Sequence, residues 1–352
     1  MPPLIRTLNK VFLTLSAIVV GFAAVVAIVI YMQLNNHPSL EPYADYFVTS
    51  DVATDAATEQ AASNTGSVTA RYFGTSTLLI SDGETAIMTD GFFTRPSLGT
   101  MLWGELTPDT ALIADTLAKA EVEALAAVIV VHSHHDHALD APEVAKQTGA
   151  LLVGSESTAN IGRGWGLDES QIKVVTPRQA MSFGQFKVTL IPTPHAPAPP
   201  AIEKLSGAGE FITEPLRFPA KLSDFKEGGS FAVFIQHPKG NILIQASAGY
   251  EVDALDGIQA DTVFLGIAGL GKQSGAYSDQ YLETVMSNPR AKRVIPIHWD
   301  DFTLPLSQPL TPQIRAFDYF EGSMGMLVQQ AEKNSELDLI MLPSFGQITL
   351  YP

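Results

Sequence analysis

The chain has 352 residues, 46% hydrophobic and only 16% charged, enough apolar material for a sizeable core in one large domain or two smaller ones. Its 37 acidic residues against 21 basic ones give a formal net charge of -16, which repels phosphate backbones and excludes nucleic acid as an expected partner. There is no cysteine, so disulfides, thiolate metal sites and a lipid-modified cysteine anchor are excluded. A metal here has to be held by His, Asp, Glu or water.

From Val11 to Met32 the sequence VFLTLSAIVVGFAAVVAIVIYM carries no charge. A run of about 20 such residues has the length of a helix that crosses a bilayer. Arg6 and Lys10 precede it and the next charged residue is Glu41. The positive-inside rule therefore predicts a single-pass membrane protein with the rest of the chain on the periplasmic or extracellular side. The run exceeds a usual signal-peptide core and ends without a small-x-small cleavage site, so residues 1–35 read as a retained anchor. Residues 36–66, with the small, polar and acidic stretch SDVATDAATEQAASNTGS, read as a flexible linker. A single domain is expected over 67–352.

That domain opens with short β-rich segments, VTARYF, STLLIS and TAIMT, separated by turn signals such as Ser81-Asp82-Gly83. Thr107-Pro108 predicts a helix start, with Thr107 as cap. Ala127–Val131 is a continuous apolar run, as in a strand buried on both faces. Asp140-Ala-Pro-Glu143 has capping-box spacing and predicts a helix toward Gly149. Strands are expected at Leu151–Val153, Ile172–Val175 and Phe186–Ile191. Further on, Phe231–Ile235 and Asn241–Gln245 flank a His237-Pro-Lys-Gly240 turn and predict a hairpin. Thr262–Leu265 and Arg293–Ile297 read as buried strands with a helix at Asp279–Met286 between them. Two sheet-forming halves with helices outside predict an α+β fold, an αββα sandwich.

The segment Val131-His-Ser-His-His-Asp-His137 lies between the buried strand and the next helix, where a rigid scaffold presents functional side chains. Of the eight histidines in the chain, four stand here beside an aspartate. Neutral imidazoles and a carboxylate suit Zn²⁺, with iron and manganese compatible with the same donors.

His132-Ser-His134-His-Asp136-His137 resembles the HxHxDH signature of the metallo-β-lactamase superfamily, and the similarity runs over about residues 67–350. The resemblance implies that His132, His134 and a third histidine hold one metal, the third matching His195 in Ile191-Pro-Thr-Pro-His195. It implies that Asp136, His137 and a late histidine hold a second metal, the late one matching His298 in Val294-Ile-Pro-Ile-His-Trp299. Tyr72-Phe-Gly-Thr-Ser76 and the strand ending at Asp90 resemble the family's opening hairpin. The Ile-Pro-Ile-His-Trp ending is most like the branch of lactonases and N-acyl-phosphatidylethanolamine phospholipase D.

One position departs from the family pattern. Asn241-Ile-Leu-Ile-Gln-Ala-Ser-Ala-Gly249 puts Ser247 where the family has an aspartate bridging both metals. A hydroxyl is a poor replacement for that anion, so one tight zinc and a second, weaker one are expected. Asp253, Asp256 and Asp261 lie nearby in sequence. Ser247 and Asp300 are candidates for contacts just behind the ligands, with Asp300 or Asp301 orienting an imidazole. His135 is expected to face solvent or to support the ligands, and His37 and His237 to be structural or inert. Trp299 reads as a pocket wall or core residue. The Pro- and Gly-rich segment His195–Gly229 reads as either a lid or a solvated excursion.

The resulting expectation is a zinc hydrolase that uses a metal-bound hydroxide on a small-molecule or lipid ester, lactone or phosphodiester, with Asp136 as general base if the second metal is absent. Two other readings compete: an iron-dependent non-hydrolytic oxidoreductase on the same fold, and a degenerate metal-binding protein without turnover.

Overall fold

A computed structural model describes residues 3–48 and 66–352 of the chain. Helix α1 (Pro3–Leu34) comes first. Its apolar side chains from Ile18 onward face outward, with Ile18 61%, Phe22 71% and Tyr31 69% exposed. Among the described residues no helix is long and apolar enough to cross a membrane. The expected Val11–Met32 span falls partly outside them, because the side chains of residues 1–15 and of Ala17 are not described.

Residues 36–48, expected to begin a flexible tether, instead pack on the domain. Arg315 donates from its backbone N–H to the Asn36 carbonyl (3.0 Å) and from Nη1 to Asn36 Oδ1 (2.7 Å). His37 Nδ1 donates to the Pro312 carbonyl at 2.8 Å. Tyr43 and Phe47 make edge-on ring contacts with Phe320 and Trp299. Those rings supply the apolar area that the small-residue stretch after them lacks. Residues 49–65, the rest of the expected linker, lie outside the described residues.

Two seven-stranded sheets follow among the described residues. The first contains β1 (Val68–Gly74), β2 (Thr77–Ser81), β3 (Ala86–Thr89), β4 (Ala127–Ile129), β5 (Leu151–Gly154) and β6 (Ile172–Val174) in that order, with β14 (Gln347–Tyr351) beside β1. Strands β1 to β3 pair antiparallel, and β3 to β6 pair parallel. The second sheet runs from β7 (Met181–Phe183) through β8 (Phe186–Pro192), β9 (Phe231–His237), β10 (Gly240–Gln245), β11 (Thr262–Gly266) and β12 (Arg293–Ile297) to β13 (Asp338–Leu339). It repeats the plan: β7 to β10 antiparallel, β10 to β13 parallel. The expected hairpin around residues 237–240 is the β9–β10 turn, with Gly240 opposite His237.

Parallel pairing needs crossovers, and helices supply most of them. They are α2 (Leu98–Trp103) and α3 (Thr110–Lys119) before β4, then α4 (His135–Ala138) and α5 (Ala141–Thr148) before β5. Helix α6 (Glu156–Trp165) precedes β6, α8 (Gly275–Leu282) precedes β12 and α9 (Phe320–Lys333) precedes β13, whereas α7 (Pro200–Ser206) lies in the connection between the antiparallel β8 and β9. Side chains of both sheets merge into one buried core, among them Ile80, Val128, Val153, Val188, Ile244 and Phe264. The domain is an α+β sandwich of two mixed sheets with helices outside.

Two local expectations are corrected. Helix α3 is capped by Asp109, whose carboxylate accepts from the Leu112 N–H at 3.0 Å, so it begins past Thr107. Asp140 stands at the start of α5 without capping it; its carboxylate accepts from the Phe93 and Thr94 backbones and from Thr94 Oγ1. A distant loop with two orphan N–H groups competed for the same acceptor and won.

Candidate metal centre

The functional loop leaves the sheet at the end of β4, where Val130 and Val131 remain fully buried. Asp90, just past β3, holds it there. Its backbone takes a left-handed φ of 56°, its Oδ1 accepts from the Val131 N–H at 2.9 Å, and its Oδ2 accepts from His137 Nδ1 at 2.9 Å and Ser76 Oγ at 2.5 Å. His134 then takes extended backbone as the residue before α4, which folds Asp136 and His137 back toward the loop. His298 enters from the end of β12 with φ 55°, its N–H bonded to the Thr75 carbonyl at 2.6 Å. His195 follows β8, and its Nδ1 donates to the Ala196 carbonyl at 2.9 Å, which leaves Nε2 free for the site.

The structure brings the candidate ligands into two sets, His132, His134 and His195 in one and Asp136, His137 and His298 in the other, with the ligand atoms of each set within 4.8 Å of one another. In the first, His132 Nε2 faces His134 Nδ1 at 3.1 Å. In the second, His298 Nε2 lies 3.2 Å from His137 Nε2 and 3.3 Å from Asp136 Oδ2. Two ligand nitrogens on one tetrahedral zinc, at bond lengths of about 2.0–2.1 Å, stand about 3.3 Å apart. The spacing and donor set therefore fit a metal in each position.

The electrostatics agree with that fit. Burial, then the neighbouring His137, His134 and His195, push the His132 pKa well below its ordinary value. Burial and then His195 push His134 down to about 3, and burial lowers His195. The first set is therefore neutral at pH 7 and offers lone pairs. In the second, burial opposes charge on both partners but is outweighed. Asp136 and Asp90 raise His137, while His137 and a hydrogen bond to His298 hold the Asp136 carboxyl well below its usual range.

Ser247 does line the cavity in front of the ligands, and its Oγ accepts from the Ala196 N–H at 2.8 Å. It steadies the residue after His195 but brings no charge. Asp253 and Asp256 are exposed, and Asp261 pairs with Lys292. None of the three lines the cavity.

Asp300 does not orient an imidazole. Its Oδ1 accepts from the Thr75 N–H (2.7 Å) and Tyr72 hydroxyl (3.1 Å), and its Oδ2 pairs with Arg95 Nη2 (2.6 Å). It fixes the β1–β2 turn whose Thr75 carbonyl receives the His298 N–H. Asp301 is occupied by the Thr303 N–H and hydroxyl. The imidazole-orienting carboxylate is Asp90, which sequence reasoning placed in the opening hairpin without a role. Its place at a strand end before Gly91 was the available signal.

His135 does not face solvent. It is 6% exposed, with Phe92, Phe225 and Phe302 packed edge-on around its ring, and its Nε2 has no partner. Trp299 is a core residue against Phe47 and Phe320. His37 holds the Pro312 loop, and His237 packs on Phe186 near Asp82. The His195–Gly229 segment roofs the site: Ile202, Leu205 and Ser206 of α7 line a cavity of about 300 Å³, and the Ser206 carbonyl accepts from His134 Nε2 at 3.1 Å.

Fold and site together define a metal-binding αββα domain. The sequence model of the metallo-β-lactamase superfamily matches residues 70–221. Two curated relatives carry the description UPF0173 metal-dependent hydrolase. The one from Christiangramia forsetii is 27% identical over 125 residues, covering 32% of this chain and 49% of its own length. The one from Heliobacterium modesticaldum is 27% identical over 118 residues, covering 34% of this chain and 42% of its own. The chain thus spans about half the length of the curated relatives it matches. The metallo hydrolase Igni18 from Ignicoccus hospitalis shares the fold, with 16% identity, a TM-score of 0.50, and coverage of 80% of this chain and 97% of that one.

Proposed function

We propose that the chain is a metal-dependent hydrolase, with zinc as its native metal. The observation that carries this reading is the pair of neighbouring ligand sets open to one roofed cavity. His132, His134 and His195 hold the tighter metal, and Asp136, His137 and His298 hold the weaker one, because Ser247 supplies no bridging anion. A metal held by these residues would acidify a water and polarise the scissile oxygen. The residues of the chain do the rest. Asp136, kept ionised by its histidines, accepts the proton of the water when the second position is empty. Helix α7 covers one side of the cavity, and the Ala196–Ser247 bond holds the His195 strand end in register.

The test is metal content measured beside turnover on ester, lactone and phosphodiester substrates. Replacing His132, His134 or His195 with Ala should remove the tight metal and cost two or more decades of turnover. His298→Ala should keep that metal and cost less, and Asp136→Asn should be severe. Intact turnover in all five variants would overturn the assignment, and redox-active iron without hydrolysis would point to oxidative chemistry instead.

The outward-facing apolar side chains of α1 behind Arg6 and Lys10 support a membrane anchor with the domain on the extracytoplasmic side. Protease added to intact spheroplasts should then digest the domain, and full protection would refute that orientation.

A further inference from the structure

A second hollow, of about 400 Å³, shares no lining residue with the metal cavity. It lies between the N-terminal arm, the loop after β12 and the loop before β14, and its walls are largely apolar: Leu40, Phe47, Leu306, Leu310, Pro343 and Phe345. Three hydrogen-bond donors line it, and none has an acceptor among the described residues. Trp299 is 1% exposed, yet its Nε1–H has no partner, and neither has the buried Ser344 Oγ. Lys119, exposed at the end of α3, holds its ammonium 3.7 Å from the centre of the Phe345 ring and makes no ion pair among the described residues. No Asp or Glu among the described residues lines the hollow.

A buried N–H without an acceptor is costly, and native proteins supply one. The half-buried Trp165 has its own, donating from Nε1 to Glu143 Oε2 at 2.7 Å. Trp299 has room beside it instead. An occupant that answers an indole N–H, a hydroxyl and an ammonium brings acceptor oxygens, and a single lysine balances a single negative charge. A carboxylate carries one charge on two oxygens with about four lone-pair sites. A phosphate monoester brings about -1.5 to -2 at pH 7 and leaves part of it without a counterion. The walls take a hydrocarbon body, and the volume falls within the range of about 300–1,000 Å³ usual for small-molecule pockets. We propose that this hollow binds a monocarboxylate with a small apolar body, at a site separate from the metals. Leu40 and Phe47 come from the arm that follows α1, so the occupant joins that arm to the domain.

The test uses the full chain, zinc-loaded, in lipid nanodiscs, with its three indole N–H signals followed by nitrogen–proton correlation spectroscopy. Trp103→Phe and Trp165→Phe variants identify the Trp299 signal by elimination. Hexanoate should move that signal downfield to saturation and leave the other two in place. It should bind at least about tenfold tighter than acetate, which lacks the body, and about fivefold tighter than hexanol, which lacks the head. Lys119→Gln changes an exposed position and should weaken hexanoate by about three- to tenfold while leaving hexanol unchanged. Ser344→Ala should weaken hexanoate as well. A Trp299 signal that no probe moves means that water alone fills the hollow, which overturns the inference. A hexanoate shift indifferent to Lys119→Gln places the carboxylate on the metals and overturns it too. Equal affinity for hexanol, or Lys119-dependent binding of hexyl phosphate as tight as that of hexanoate, rules out a carboxylate site.

Discussion

His137 Nδ1 stands 2.9 Å from Asp90 Oδ2 with both side chains buried, and this contact fixes which nitrogen of His137 faces the second metal position. The same carboxylate also accepts from the Val131 N–H, so ligand orientation and loop anchoring share one group. A carboxylate behind a metal-bound imidazole sets its tautomer and raises its basicity, and losing it costs 10–100-fold in metal affinity as a rough rule. Asp90→Asn should weaken retention at the Asp136, His137 and His298 set by that order and spare the other set. Competition against a graded series of chelators reads both constants, and equal affinities in variant and native chain would sink the idea.

Ser247→Asp should restore an anion to the cavity wall. Native protein should keep one metal through mild dialysis and the variant two, counted by elemental analysis against protein concentration. The Ala196 N–H keeps an acceptor in the variant, so the His195 turn should survive. Two equally tight metals in the native chain would show that Ser247 is no deficit.

His135 tests packing apart from ligation. His135→Ala empties the space enclosed by Phe92, Phe225 and Phe302 and should destabilise the fold by about 1–3 kcal/mol while metal content holds. His135→Phe removes the partnerless Nε2 and should stay within about 1 kcal/mol of native. Denaturant titration decides, and a loss of bound metal in folded His135→Ala would make this ring a ligand support after all.

Asp140 gives a pH dependence. Burial pushes its carboxyl up to about 6, against hydrogen bonds from Thr94 and Phe93 that favour the ionised form. An unfolded-chain Asp titrates near about 3.9, so between those values the folded state binds the extra proton. The contribution of Asp140 is therefore full below about pH 4 and is lost as pH rises through about 6, by about 3 kcal/mol at most. An amide accepts from the same two N–H groups without titrating. Native stability relative to Asp140→Asn should accordingly fall between pH 4 and 7, and parallel stability curves would contradict it.

The sequence by itself determined the class of site. Four histidines and an aspartate between a buried apolar strand and a helix are legible because ligand chemistry and strand periodicity are both local. The strand runs at 127–131, 151–153 and 231–235 were legible for the same reason, since side chains buried on both faces leave unbroken apolar stretches. Tertiary structure alone decided which carboxylate stands behind which imidazole. Asp90 and Asp300 are both strand-end aspartates, yet Asp90 meets His137 while Asp300 is taken by Arg95, Tyr72 and the Thr75 turn. Asp140 was likewise drawn from its own helix to the Phe93–Thr94 loop. A buried acceptor satisfies whichever donor the fold brings to it, and residues far apart in the chain meet only when two sheets close on one another.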